Sequence, residues 1–185
     1  MPIYQLSVIA ADANARRRAD GTLVVAVDGP SGSGKSRLAR RLARAIGGQF
    51  TVLHADDLVA GWDSLLNVPY RLADVLAELR AGRSATYDTW DWTRDRSGPP
   101  TTIKPAATIV VEGCGSGGLA CAEYVDFLLW IDAPPAVRHE RAIARDGDSY
   151  APHWDRWAAQ ERELYARDRV RERADVLLDG RRPVR

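Results

Sequence analysis

The residues best suited to chemistry lie in one run, Gly29-Pro30-Ser31-Gly32-Ser33-Gly34-Lys35-Ser36, which fits the phosphate-binding pattern G-x-x-x-x-G-K-[ST]. Its glycines, Gly29, Gly32 and Gly34, permit backbone conformations in which consecutive N–H groups, including those of Ser31 and Ser33, point inward at phosphate oxygens. The helix that must follow adds the partial positive charge of its N-terminus. Lys35 is placed to reach the terminal phosphates of a nucleoside triphosphate, and the Ser36 hydroxyl to bind a magnesium ion. The contacts to nucleotide are expected to run on to Arg37. The chemistry implied is binding of ATP with Mg2+ and transfer of the terminal phosphoryl group; ATP against GTP is left open.

A phosphate loop specifies a donor and leaves the acceptor to other residues. Open parallel sheets gather their sites at the carboxyl ends of the strands, and acidic residues follow several apolar runs: Asp56 and Asp57, Glu112, and Asp132. A kinase needs one carboxylate to orient the acceptor hydroxyl and take its proton, and further oxygens around the metal. Asp56 fits the first role and Glu112, directly before Gly113, the second. Adjacent side chains diverge, so only one of Asp56 and Asp57 is expected to face the phosphate, and which is the base stays open. Asp132 is expected to cap the helix that begins at Pro134.

The elements that must position these residues follow from periodicity. Apolar β-branched runs alternate with amphipathic helical patterns, the signature of a parallel sheet covered by helices. Strands are predicted at 23–27, 50–53, 108–111, 127–131 and 176–178. Helices are predicted at about 35–46, 70–81, from Pro134-Pro135 to Arg145, and at about 152–169. The stretch between the second helix and residue 108 reads as an aromatic and charged loop, extended around Trp90 and Trp92, and the segment before Gly21 as a short helical extension. The fold class is therefore α/β: a three-layer P-loop NTPase fold with a mostly parallel five-stranded sheet flanked by helices. Residues 1–185 form one domain, with residues 1–20 as an extension and about 138–150 as a lid.

Composition narrows the partners. The chain has 185 residues, enough for one sizeable core, and its 45% hydrophobic and 28% charged residues are those of a globular protein. A net charge of +1 offers no broad footprint for nucleic acid or an anionic membrane, so anions must be held locally. No run approaches the length of a membrane span. Cys114 and Cys121 are the only cysteines, too few for a disulfide framework, and a cytoplasmic location is expected.

Taken in order, these segments resemble the uridine kinase-like branch of P-loop kinases. Gly29 to Ser36 matches that family's GxSGSGKS loop, and Val52-Leu53-His54-Ala55-Asp56 its second strand. Tyr87-Asp88-Thr89-Trp90-Asp91-Trp92-Thr93-Arg94 is similar to its Tyr-Asp-x-x-x-His-x-Arg segment. Val111-Glu112-Gly113, the arginine-bearing helix Arg138 to Asp146 and Ala174-Asp175 followed by Val176 complete the set. The resemblance implies that Asp56 activates a nucleoside 5′-hydroxyl, that Asp88 grips the sugar hydroxyls, and that Tyr87, Trp92 and Arg94 border the acceptor. It also implies that Arg141 and Arg145 close over the phosphates. Trp92 replaces a base-contacting histidine, and the second arginine cluster of the family's lid is missing. The partner expected is a small-molecule acceptor, with a homo-oligomer left open.

Side chains outside these motifs have plainer roles available. Trp154 and Trp157, on one helical face, are expected in the core; Trp90 and Trp92 either pack or touch ligand. Asp91 can pair with Arg94 or Arg96. The charged run Arg162 to Arg173 reads as a solvated helix. The function expected is phosphoryl transfer from ATP to a nucleoside-like hydroxyl. The alternatives are a non-nucleoside alcohol acceptor, such as a sugar, a cofactor precursor or an antibiotic, and a nucleotide-hydrolysing switch.

Overall fold

Every residue of the strand Leu23–Asp28 (β1) is completely buried, the condition of a central strand covered on both faces. The computed structural model describes residues 5–182 and 184, so residues 1–4 of the N-terminal extension lie outside the described residues. β1 pairs in parallel with Thr108–Glu112 (β5) on one side and Phe127–Asp132 (β6) on the other. Phe50–His54 (β2) and Val176–Asp179 (β7) form the edges, giving the order β2-β5-β1-β6-β7. The predicted mostly parallel five-stranded α/β sheet is the observed one.

Alternation along β1 divides the core. Val25 and Val27 face Leu6–Ala15 (α1) and Lys35–Ile46 (α2), meeting Ile9, Ala13, Leu38 and Leu42. Val24 faces the opposite layer, where Leu72, Val75, Leu76 and Leu79 of Val68–Arg80 (α3) pack with Ile109 and Val111. Apolar positions recurring every three or four residues put one stripe of each helix against the sheet. The N-terminal segment is part of this packing, since Ile9 and Ala13 are fully buried.

Residues 82–107 depart from the loop reading. Ala85–Asp91 (β3) and Arg96–Ile103 (β4) form an antiparallel hairpin, a separate two-stranded sheet with a register shift between Asp88 and Trp90. Its inner residues Ala85 and Ile103 join the α3 side of the core, while most of β4 stays exposed. Beyond β6, Pro135–Asp146 (α4) leads through two short 3₁₀ turns into Trp154–Asp168 (α5) and the single turn Val170–Arg173 (α6). No helix among the described residues is long and apolar enough to cross a membrane.

Candidate functional site at the strand ends

The chain leaves β1 through backbone that only glycine adopts without strain. Gly29, Gly32 and Gly34 have φ of 144°, 77° and 105°. A Cβ on Gly32 would lie 2.7 Å from the carbonyl carbon and 2.8 Å from the Cα of Arg138, so the loop and the start of α4 are in backbone contact. Beneath the loop, the buried Asp28 carboxylate accepts the amides of Gly29 (2.7 Å), Gly115 (3.1 Å) and Gly117 (2.8 Å) and the Tyr165 hydroxyl (3.0 Å). It joins the loop to the turn after β5 and to α5.

Two other residues fix the loop from outside. Glu161 of α5, 4% exposed, accepts the Ser31 amide at 2.8 Å and the Cys114 thiol at 3.3 Å. Arg138 donates to the Ser31 carbonyl at 3.3 Å and lies 3.2 Å from Asp132 and 3.9 Å from Glu161. Lys35 is buried, its Nζ donating to the Pro30 carbonyl at 3.1 Å. Burial pulls its pKa down, but the carboxylates of Asp56, Glu161 and Glu112 outweigh this and hold it raised and charged.

Ser36, at the start of α2, donates to Glu112 Oε2 at 3.0 Å, and the other oxygen of Glu112 meets His54 Nδ1 at 2.5 Å. Burial would raise the Glu112 carboxyl. The His54 hydrogen bond, the Lys35 charge and the Ser36 hydroxyl prevail and leave it below the usual range. The same contact raises His54. Asp56 and Asp57 follow on a 3₁₀ turn, Ala55–Leu58, and both line one cavity. The turn spreads the two over the opening: Asp56 feels the Lys35 charge of the phosphate loop, Asp57 that of His54. Asp56 is open to solvent in the cleft, yet the protein around it raises its carboxyl, chiefly by desolvation. Burial raises Asp57 likewise.

The cavity, of about 550 Å3, runs from Ser31, Ser36, His54 and Glu112 past the two aspartates to an aromatic wall of Trp62, Trp92, Trp157 and Tyr150. Arg145, Asp146 and Ser149 border its α4 side. Trp62 stacks on His153 (centroids 4.0 Å apart) and meets Trp92 edge-on at 4.7 Å. Trp157 stands edge-on to both at 6.0 Å. Gln160 holds the Trp62 loop through the Trp62 carbonyl (2.7 Å) and the Leu65 amide (3.2 Å). Arg71 of α3 ties the Leu58 carbonyl to the Asp88 carbonyl, fixing the acidic turn against the hairpin.

Of the residues singled out by sequence, Ser31, Ser36, Asp56, Trp92, Glu112 and Arg145 meet at this cavity. Others stand apart from its wall. Asp88 is exposed on the hairpin opposite Pro100, and Tyr87 packs with the α3 side of the core. Arg94 pairs with Asp91 at 2.9 Å on the surface, and Arg37 is exposed. Arg141 donates to the Gly180 carbonyl at 3.0 Å, so the arginine of α4 that touches the phosphate loop is Arg138. Trp90 packs over Gly61 while Trp92 reaches the cavity.

Three further expectations need correction. Asp132 makes no cap: its carboxylate takes the Ala133 amide at 2.7 Å and faces Arg138, because Pro134 leads directly into the helix. Trp157 is buried as expected, but it also lines the cavity. The charged run from Arg162 is not wholly solvated: Asp168 is 2% exposed and accepts the Leu119 amide at 3.1 Å. Sequence reasoning gave no role to Asp28, His54, Tyr150 or Glu161. For Glu161 the signal was present: Trp157, Glu161, Leu164 and Asp168 share one helical face.

No protein-family model matches the chain. A cytidylate kinase of Natronomonas pharaonis is 30% identical over 129 residues, a match that covers 69% of this chain and 60% of that protein, so the chain spans less than two thirds of its relative's length. Two solved structures superpose along nearly the whole chain. A possible uridine kinase from Bacillus stearothermophilus has a TM-score of 0.68 at 23% identity, covering 94% of this chain and 97% of that one. A provisionally named fructose transport system kinase from a Silicibacter species has a TM-score of 0.64 at 21% identity, covering 94% and 98%. The chain has the fold of these P-loop kinases.

Proposed function

We propose that the protein is an ATP-dependent phosphotransferase that passes the γ-phosphoryl group to a hydroxyl of a small-molecule acceptor. One observation carries the reading: a phosphate loop opens onto a cavity of ligand size in which the Asp56 carboxylate, near Lys35, makes no hydrogen bond or ion pair among the described residues. A switch protein needs no such second cavity.

In this reading Lys35 and the loop amides hold the triphosphate. A metal cradle is supported by the hard oxygen donors Ser36 and Glu112, set 3.0 Å apart. No group of three or more His, Cys, Asp or Glu residues suited to a metal ion occurs among the described residues, which suits a magnesium ion held mainly by water and phosphate. Bound there, magnesium would neutralise charge on the β- and γ-phosphate oxygens. Asp56 takes the acceptor's proton as the hydroxyl oxygen bonds to the γ-phosphorus and the bond to the β–γ bridging oxygen breaks, leaving a phosphate ester and a nucleoside diphosphate. Its raised pKa strengthens it as a base. Arg145 lies on the cavity wall to meet charge on the equatorial oxygens.

The uridine kinase-like resemblance suggests a nucleoside acceptor. A second reading, a non-nucleoside alcohol, is favoured by the position of Asp88 outside the cavity wall and by Trp92 within it. Asp56→Asn tests the shared core of both. It should lower turnover by roughly 100- to 10,000-fold, the usual worth of a general base, while calorimetry finds nucleotide affinity kept. Full activity in the variant would remove Asp56 from the mechanism.

A further inference from the structure

We infer that the cavity takes an acceptor that carries a protonated amine beside its reactive hydroxyl. The inference rests on the proposed phosphoryl transfer and names the class of acceptor. Four carboxylates border the cavity, Asp56, Asp57, Glu112 and Asp146, against two side chains able to carry positive charge, Arg145 and His54. Both of these are committed: Arg145 to Asp146 at 2.6 Å and His54 to Glu112 at 2.5 Å. Asp56 and Asp57 remain, with no side-chain hydrogen bond or ion pair among the described residues. With Asp56 turned to the hydroxyl proton, Asp57 feels the charge of His54, itself bonded to Glu112, and has no direct contact with a donor among the described residues.

The other side of the cavity has matching chemistry. Trp62, Trp92 and Trp157 pack edge to face and present indole surface beside the acids. Aromatic faces together with a carboxylate attract an ammonium group through the ring quadrupole and a charge-assisted hydrogen bond. Tyr150, 5% exposed and on the same wall, stacks on Trp62 with ring centroids 5.6 Å apart and extends the aromatic side of the cavity.

Other acceptors fit less well. An anionic one, such as a nucleoside monophosphate, would meet Asp57 and the donor triphosphate, while Lys35 and magnesium are taken up by the donor and Arg145 is paired with Asp146. A neutral alcohol would leave Asp57 half-buried and unpaired, at a cost in desolvation.

The experiment offers matched probes with ATP and magnesium: D-glucosamine against D-glucose, ethanolamine against ethylene glycol, uridine as a neutral nucleoside and cytidine monophosphate as an anion. ADP release is followed by a coupled assay, with the product checked by mass. The amine of each pair should exceed its neutral counterpart in kcat/KM by about 10-fold or more, the worth of a hydrogen bond to a charged group. In Asp57→Asn that preference should fall towards parity through a rise in KM for the amine. The wild-type ratios decide the matter even if the variant does not fold. Preference for neutral or anionic probes, or an amine preference unchanged in folded Asp57→Asn, overturns the inference and leaves phosphoryl transfer standing. ATP binding with no transfer to any probe overturns both.

Discussion

Glu161 offers a direct test of how the phosphate loop is held. Its buried carboxylate accepts the Ser31 amide at 2.8 Å and faces Arg138 at 3.9 Å. Glu161→Ala removes a charge-assisted hydrogen bond worth about 1.5–3 kcal/mol and leaves Arg138, only 13% exposed, with Asp132 as its remaining carboxylate. Breaking a buried pair from one side costs about 3–5 kcal/mol, and the Asp132 contact places this case toward the lower end. Glu161→Gln keeps an acceptor oxygen for the Ser31 amide and loses the attraction to Arg138 and Lys35, for about 1–2 kcal/mol. At roughly 2–4 °C per kcal/mol for a chain of this size, the alanine variant should melt on the order of 6–15 °C below wild type. The glutamine variant should lose about half that or less. Calorimetry and urea unfolding measure both. An alanine variant within about 1 kcal/mol of wild type, or two variants of equal stability, would refute the role given to this carboxylate.

Two further outcomes follow from the same region. Gly32→Ala forces an L-residue to φ 77° and drives its Cβ into the Arg138 backbone; loop and α4 must separate, and affinity for a non-hydrolysable ATP analogue should fall by at least about 10-fold, whereas an unchanged Kd by calorimetry would show the contact to be yielding. Burial raises the Asp28 carboxyl from 3.8 to about 6, against the Gly117 and Gly29 amides, the Lys35 charge and the Tyr165 hydroxyl. The folded protein thus keeps a proton that the unfolded chain has released, so this group's contribution to stability is full below about pH 4 and is lost as pH rises through about 6. The shift corresponds to about 3 kcal/mol. The stability of wild type minus that of Asp28→Asn should decline by this amount between pH 4 and 7, and a difference independent of pH would contradict it.

The central strand and the helix after the phosphate loop were legible because local pattern and final burial agree. Leu23 to Val27 is continuously apolar and lies in the middle of the sheet; Leu38 and Leu42 recur one turn apart and reach the same core. The hairpin was not legible. Only one face of β3 packs, Pro99 and Pro100 stand inside β4, and proline in a strand argues against a strand unless it lies at an edge. In a sheet of two strands each is an edge, so the prolines are tolerated.

The same contrast separates the two halves of the site. The phosphate half is written in consecutive residues, since backbone amides and a helix start need only glycines, Lys35 and Ser36 in sequence. What braces that half, and the acceptor half as a whole, depends on distant pairs: Ser31 with Glu161, Ser36 with Glu112, Gln160 with the Trp62 loop. A glutamate in a charged run has the composition of a solvated face until an amide 130 residues away is brought to it, and burial of its charge is tolerated only because that donor is there. Asp57 is the converse case. It faces the cavity with no hydrogen bond or ion pair among the described residues and only the shared charge of His54, so the inferred ligand partner makes the charge of the acceptor the property of this protein most open to experiment.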